Sequence, residues 1–174
     1  MTTSSRRPLK VGVLLPDTEN QSDGETARWS DLAAMAKLAE DTGFDSVWVT
    51  DHLIHRTEPD DKPVVTGGDL RNNEGPWECW SMLAGLAAIT HRVEIGRLVI
   101  CNSFRNPAIL AKMADTVEEM SDGRLILGLG AGWNQAEYEA FGIPYDHRID
   151  RFEESIQIVT TLLRTGQADF SGEY

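Results

Sequence analysis

Two neighbouring polar residues, Asp51 and His52, directly follow the β-forming run SVWVT. An imidazole with its ordinary pKa of about 6.5 can accept and return a proton at neutral pH. A neighbouring carboxylate can orient the ring. Local hydrogen bonding is the other common role of a histidine in a loop. From the residues alone, local capping or hydrogen bonding is therefore the favoured role of His52, and an acid/base site at the end of the strand is the alternative.

A second segment with binding potential is GRLILGLGAGWNQAEYEAFG, residues 123–142. Its apolar residues predict a strand buried on both faces, and Gly128, Gly130 and Gly132 would let a flat ligand approach the backbone closely. Turn geometry or tight packing of the chain is the more common reason for such glycines, so the ligand role is the alternative. Asn134 follows as a ligand-binding amide or a helix N-cap. The spacing is not that of a dinucleotide fingerprint, so we predict no Rossmann phosphate loop.

The elements that must position these segments alternate between strand and helix. Strands are predicted over residues 9–16, 46–50 and 93–100 and within 123–142, and helices begin near Trp29, Glu78, Asn106 and Ile149. This alternation predicts a parallel sheet with right-handed crossovers. Two architectures fit: a doubly wound sheet, or the first half of an eight-stranded (β/α) barrel, which normally needs about 250 residues. In both, the carboxyl ends of the strands form the active face.

Local signals refine the helices and the loops. Gly43 is predicted to end the first helix, and Asn106 followed by Pro107 is typical of a helix start. The irregular segment 51–76 is predicted to be a functional loop, and Trp133 is predicted to belong to the core. The last helix is predicted to bury one stripe of side chains: Ile149, Phe152, Ile156, Val159 and Leu163.

Composition excludes several classes of function. The chain has 174 residues, 41% of them hydrophobic, so we expect one domain over residues 1–174. A net charge of −12 argues against nucleic acid as a partner. No export signal or apolar run of about 18 residues is visible, which predicts a cytoplasmic protein that does not bind membranes. Cys79 and Cys101 lack metal-ligand spacing, so we expect reduced thiols and no metal site.

Three long segments of the sequence resemble the luciferase-like monooxygenase superfamily, especially its coenzyme F420-dependent branch. They are GFDSVWVTDH (43–52), RNPAILAKMADTVEEMSDGRLILGLGAGWNQAEYEAFG (105–142) and RFEESIQIVTTLL (151–163). The resemblance implies a (β/α) TIM-barrel type of α/β fold and decides against the doubly wound sheet. Members of the family are roughly twice as long, as a complete barrel requires. We therefore expect about the first four βα units, ending before the fifth strand.

The resemblance also implies a cofactor site. His52 is expected to lie beside the deazaflavin and to act as the catalytic base for an alcohol substrate. A non-prolyl cis peptide is expected between Ile100 and Ser103, behind the cofactor ring. The cofactor-binding residues implied are Asp51, Ile100, Cys101, Asn102, Ser103 and Asn134. From the residues alone, Cys101 is equally well interpreted as an ordinary buried thiol.

The function implied by the resemblance is hydride transfer between F420 and a small organic substrate. An FMN-dependent monooxygenase that uses dioxygen is the alternative cofactor assignment. Sugar-phosphate dehydrogenases of the F420 branch carry a glutamate where this chain has Ala131 and Gly132, so the resemblance does not extend to that substrate class. Contacts to the cofactor phosphates come largely from the later half of the family's chain. A half-barrel that pairs with itself as a homodimer or higher oligomer, through its open sheet edges and without catalysis, is the third hypothesis.

Overall fold

The computed structural model describes residues 9–18, 25–54 and 76–174. The strands are β1 (Gly12–Leu14), β2 (Ser46–Val49), β3 (Glu94–Arg97), β4 (Ile100–Cys101), β5 (Leu125–Ile126) and β6 (Leu129–Gly130). The helices are α1 (Trp29–Thr42), α2 (Cys79–Ile89), α3 (Pro107–Met120), α4 (Gln135–Ala140) and α5 (Arg148–Thr165), with a short 3-10 helix at Asn102–Phe104. Among these residues no helix is both long enough and apolar enough to cross a membrane.

The main sheet is parallel, in the order β1-β2-β3-β5. In its register Val13 lies opposite Val47, Val47 opposite Ile95, and Ile95 opposite Leu125. A second parallel pair, β4 with β6, continues beyond β3 and β5. Helices connect the strands of the main sheet, as the alternating pattern predicted. This is the α/β architecture of the first half of a (β/α) barrel.

The predicted helix boundaries are confirmed at two places. Gly43 ends α1 in a left-handed conformation with φ 92°, which glycine adopts without steric cost. Asn106 caps α3, its side chain accepting hydrogen bonds from the backbone N–H groups of Ala108 and Ile109, and Pro107 is the first helical residue. These signals are local, so the sequence alone was enough to place them.

The third predicted strand is broken, and the predicted position of the cis peptide was wrong. The strand ends at Arg97 and resumes at Ile100, and the non-prolyl cis peptide lies at the break, between Leu98 and Val99. The expected interval, from Ile100 to Ser103, instead contains the paired strand β4 and the start of the 3-10 helix. Residues in a paired strand keep the extended backbone of the ladder, so the irregular geometry falls before it.

The fourth predicted strand is also divided, and it is not buried on both faces as expected. Residues 124–132 are half-buried, because β5 and β6 each have a partner on one side only among the described residues. At the opposite edge, beside β1, Val11 and Leu14 are exposed. Pairing of the chain with itself along these edges stays a prediction. Light scattering tests it, because a monomer at micromolar concentration would contradict it.

The hydrophobic core lies between the main sheet and α1, α2 and α3. Leu32, Leu83, Val47 and Ile95 are fully buried there. The last helix, α5, packs on α3 and on the 3-10 helix.

The stripe predicted for α5 was only partly right. Val159 is buried, but Ile149 and Leu163 are exposed and Ser155 is buried instead. The helix covers another helix, which is narrower than a sheet, so a shorter and rotated face is buried.

Candidate functional site

The site is formed where the carboxyl ends of β2, β3 and β6 meet. Two backbone hydrogen bonds extend the strand pairing to this edge of the sheet. Leu98 N–H donates to the Val49 carbonyl at 3.3 Å, and Ile100 N–H donates to the Gly128 carbonyl at 2.8 Å. The loop after β2 carries Asp51 and His52, and α4 follows β6. Parallel strands bring their carboxyl ends to one edge, which explains why segments far apart in sequence meet here.

His52 is held by Glu137, a residue of α4 that lies 85 positions further along the chain. The Nδ1 atom of His52 lies 3.1 Å from both carboxylate oxygens of Glu137. The same carboxylate accepts hydrogen bonds from the backbone N–H groups of Leu53 at 2.7 Å and Ile54 at 3.2 Å. The edge of the His52 ring meets the Trp133 ring, with 5.7 Å between centroids. Only 2% of Glu137 is exposed, so a buried carboxylate holds the imidazole of His52 in place.

The carboxylate next to His52 in sequence has a different partner. Asp51 is buried and accepts hydrogen bonds from Arg105 at 2.7 and 3.0 Å and from the backbone N–H of Cys101 at 2.9 Å. Arg105 also reaches Glu78, the N-cap of α2, at 3.2 Å. Burial acts to lower the pKa of Arg105, but its bonds to Asp51 and Glu78 outweigh burial and raise it. Sequence reasoning expected the neighbouring Asp51 to orient His52, and Glu137 does so instead.

A second arginine, Arg97, lies next to Asp51, and no pattern in the sequence indicated it. Arg97 is fully buried, and its three guanidinium nitrogens have no hydrogen-bond partner among the described residues. Its closest charge is Asp51, at 3.7 Å. Burial lowers the pKa of Arg97 to about 10. Burial also raises the pKa of Asp17, although the backbone N–H of Thr50 donates to its carboxylate at 2.6 Å.

Cys101 is an inert thiol at neutral pH in this environment. Its Sγ lies 3.2 Å from the hydroxyl of Tyr138, and that hydroxyl donates to the Ala131 carbonyl at 2.8 Å. The hydroxyl proton is therefore committed, and the thiol is the donor of the pair. Burial raises the pKa of Cys101 to about 11 and raises that of Tyr138 as well. These contacts match the interpretation as an ordinary buried thiol, and the expected cofactor contact stays a prediction.

The remaining residues predicted at the end of the third strand point to different surroundings. Ile100 is fully buried in β4. Asn102 is buried, and its side-chain oxygen accepts a hydrogen bond from Ser155 of α5 at 2.7 Å. Ser103 is half-buried in the 3-10 helix. The bond from α5 ties Asn102 to the outer helical layer, whereas cofactor contacts by these three residues stay predictions.

Asn134 combines parts of its two predicted roles. It occupies the N-cap position of α4, but its side chain makes no capping hydrogen bond. Instead its Nδ2 lies 3.4 Å from the Ile54 carbonyl, a long hydrogen bond to the loop after β2. The residue is buried and stands next to Trp133, so it lies close to His52. Its contact to a cofactor stays a prediction.

The glycines that end the fourth strand make room for protein atoms. A Cβ on Gly128 would lie 2.8 Å from a backbone oxygen of β3, and one on Gly130 would lie 2.7 Å from Cγ2 of Val99. A Cβ on Gly132 would collide with the hydroxyl of Tyr138. All three distances are too short for a real Cβ, so packing accounts for the glycines. The effect of Gly128 and Gly130 on the site is indirect, because they make room for Val99 in the segment that breaks the third strand.

That segment supplies apolar side chains at the same edge of the sheet as His52, where Trp133 contacts the imidazole. Leu98 is 57% exposed, and Val99 and Trp133 are each 46% exposed. The prediction that Trp133 belongs to the core was therefore wrong. Exposed apolar side chains next to a polar, anchored imidazole suit one face of a flat ring. No group of three or more metal-ligating side chains occurs within the described part of the chain.

Comparison with known proteins agrees with this geometry. A profile of the luciferase-like monooxygenase family matches residues 9–174. The F420-dependent glucose-6-phosphate dehydrogenase of Amycolatopsis mediterranei is 34% identical over 148 residues, which are 83% of this chain and 40% of that protein. An F420-dependent secondary alcohol dehydrogenase, solved with an F420–acetone adduct, superposes with a TM-score of 0.73 and 26% identity. This match covers 95% of the chain and 45% of the dehydrogenase.

A more distant structure shows the same fold. The oxygenating constituent of 3,6-diketocamphane monooxygenase from Pseudomonas putida, solved with FMN, has a TM-score of 0.70 and 21% identity, covering 95% of this chain and 42% of that one. The chain thus spans less than half the length of these relatives. The family match covers nearly all of the described residues, including every element of the site. The chain therefore belongs to the luciferase-like monooxygenase family.

Proposed function

We propose that this chain forms about half of the barrel of an F420-dependent oxidoreductase. In this enzyme a hydride would pass between the deazaflavin and a small organic substrate. The observation that carries the proposal is the imidazole of His52, which is anchored by Glu137 and contacts the Trp133 ring, at the same edge of the sheet as the exposed side chains of Leu98 and Val99. The similarity to two F420-dependent dehydrogenases supports this choice of cofactor.

The residues of the site have separate tasks in this proposal. Leu98 and Val99 would hold one face of the cofactor ring, and the indole of Trp133 would exclude water from its edge. When bound, F420 would supply the hydride chemistry. His52 would accept a proton from the substrate hydroxyl, or return one to it, at its Nε2 atom. The carboxylate of Glu137 would stabilise the imidazolium that forms.

Hydroxylation or Baeyer–Villiger chemistry with FMN and dioxygen is the second candidate. The diketocamphane relative was solved with FMN, and an apolar surface accepts an isoalloxazine as well as a deazaflavin. Because the chain spans 37% to 40% of the length of curated relatives, either activity is proposed for a protein that holds the rest of the site. A chain that folds and self-associates without catalysis remains the third hypothesis.

Fluorescence titration with F420 and with FMN tests the proposal. The wild-type chain is expected to quench F420 fluorescence saturably and at lower concentration than it affects FMN. The variant L98E places a charge on the apolar surface, and we expect it to weaken F420 binding about tenfold or more, equivalent to roughly 1.4 kcal/mol. The matched control is L38E, on the outer side of α1, where Leu38 is 61% exposed.

Three outcomes separate the candidates. Tighter binding of FMN than of F420 would favour the monooxygenase. No response to either cofactor would contradict both enzymatic proposals for this chain. Equal affinity of L98E and L38E would place the cofactor elsewhere, because only the first substitution lies at the site.

A further inference from the structure

We propose that Glu137 is a positioning residue that fixes the tautomer of His52, so that the neutral ring carries its proton on Nδ1 and presents Nε2 to the substrate. The importance of this assignment for catalysis rests on the proposed function above. The tautomer itself does not, and it can be measured in the chain without any cofactor.

The hydrogen bonds around Glu137 identify it as an ionised acceptor. Backbone N–H groups of Leu53 and Ile54 point at Oε1, at 2.7 and 3.2 Å, and both are obligatory donors. His52 Nδ1 approaches both oxygens at 3.1 Å. A carboxylate in this position accepts from every neighbour, so Nδ1 must be the donor of the His52–Glu137 pair.

The same contacts remove Glu137 from direct acid/base work. It is 2% exposed, and its oxygens already accept hydrogen bonds from three donors. Proton exchange with a substrate therefore falls to Nε2 of His52, on the far side of the ring from Glu137. When Nε2 binds a proton, the other nitrogen of the ring still faces the Glu137 carboxylate, 3.1 Å away.

The position of Glu137 is itself fixed by its neighbour in sequence. Tyr138 is fully buried and bonded to the Ala131 carbonyl at 2.8 Å, which holds α4 against the end of β6. Glu137 then reaches across to the loop after β2 and orders its backbone as well as the imidazole. The position of β6 therefore determines the position of α4, and α4 in turn determines where the ring of His52 lies.

The isosteric variant E137Q tests the inference. The glutamine can keep an oxygen towards Leu53 and Ile54, but it places an NH₂ group where a carboxylate oxygen faced Nδ1. The NH₂ group is a donor, whereas the amide oxygen still lies within reach of Nδ1. The preference for a proton on Nδ1 should therefore weaken, and we expect part of the ring population to carry its proton on Nε2. Long-range ¹H–¹⁵N NMR of the histidine-labelled chain reports the tautomer, and H52Q assigns the His52 signals.

The matched control is E139Q. Glu139 lies on the same helix but is exposed, and it pairs with Gln135 at 2.7 Å. We expect this variant to retain the wild-type tautomer. Circular dichroism of all variants monitors the fold. If E137Q is unfolded, the wild-type spectrum alone still decides, since a wild-type ring with its proton on Nε2 overturns the inference.

An unchanged tautomer in folded E137Q would also overturn it. The outcomes are distinguishable from those of the proposed function. Failure of the chain to bind F420 or FMN, together with the expected tautomer change, would remove the proposed function and leave the positioning role. Cofactor binding without the tautomer change would remove the positioning role alone.

Discussion

Two clusters of side chains stand side by side at the carboxyl ends of the strands, and they differ in almost every physical respect. We define the Asp51 cluster as Asp17, Asp51, Glu78, Arg97 and Arg105. We define the His52 cluster as His52, Leu98, Val99, Trp133 and Glu137. The first is rich in charge and, apart from Glu78 and one end of Arg105, is buried. The second has one buried carboxylate, one largely buried imidazole and three exposed apolar side chains.

The contrast separates residues that hold the strand ends from residues that can meet a ligand. Asp51 and Arg105 bind each other and the backbone of Cys101, so their polar groups are already used inside the protein. In the His52 cluster Glu137 supports the ring, while Leu98 and Trp133 are exposed. Adjacent positions in sequence, 51 and 52, therefore serve opposite purposes.

The largest expected effect distinguishes the two arginines of the Asp51 cluster. R105M removes the bidentate partner of a buried carboxylate and should lower the free energy of unfolding by about 3–5 kcal/mol. R97M removes a buried guanidinium that has no hydrogen-bond partner among the described residues and that lies 3.7 Å from Asp51. Because Asp51 keeps its two hydrogen bonds from Arg105, we expect R97M to cost less than R105M. Urea unfolding measures both. A cost for R97M equal to that of R105M would show that Arg97 is the structural partner of Asp51.

A smaller effect concerns the pH dependence of stability at Cys101. Burial raises the pKa of its thiol from 9.0 to about 11, so the folded state holds the proton more tightly than the unfolded state. This contribution is complete below pH 9 and is lost as pH rises to about 11, by roughly 2–3 kcal/mol. We expect C101A to lose less stability than the wild type over this interval. Parallel curves for the two proteins would show that the thiol is not shielded.

The smallest of these effects links the glycine run to the apolar surface of the His52 cluster. G130A would place a Cβ 2.7 Å from Cγ2 of Val99, and we expect a cost of roughly 1–3 kcal/mol from overpacking. V99A removes the clashing methyl group, so the double variant should recover most of that loss. A double-mutant cycle by thermal unfolding measures the coupling. Additive costs would mean that Gly130 serves some other purpose.

Much of the fold could be predicted because its signals are local. Alternating strand and helix patterns identified the parallel sheet, and Gly43 and Asn106 marked helix ends within a few residues. The resemblance of three segments to one family then distinguished the barrel from the doubly wound sheet. His52 was selected as a candidate in the same way, from its place directly after β2, and its role stays a prediction.

The rest depended on contacts between distant parts of the chain. No pattern in residues 134–140 predicted that Glu137, one of many acidic residues, would contact a histidine 85 positions away. The burial of Arg97 and the exposure of Trp133 also follow from which strands lie next to each other. The break at Leu98 and Val99 was misplaced by a few residues because apolar residues continue through it without interruption.

The central claim is that a deazaflavin ring lies on the His52 cluster, and the indole N–H signals in NMR spectra test it most directly. Trp133 belongs to the cluster, whereas Trp29 and Trp77 are comparably exposed but line a separate groove of about 390 Å³ near the start of α2. They are therefore internal controls in the same spectrum. On addition of F420 we predict a saturable shift of the Trp133 signal and no shift of the other two. A shift confined to Trp29 and Trp77, or no shift at all, would contradict the proposed site.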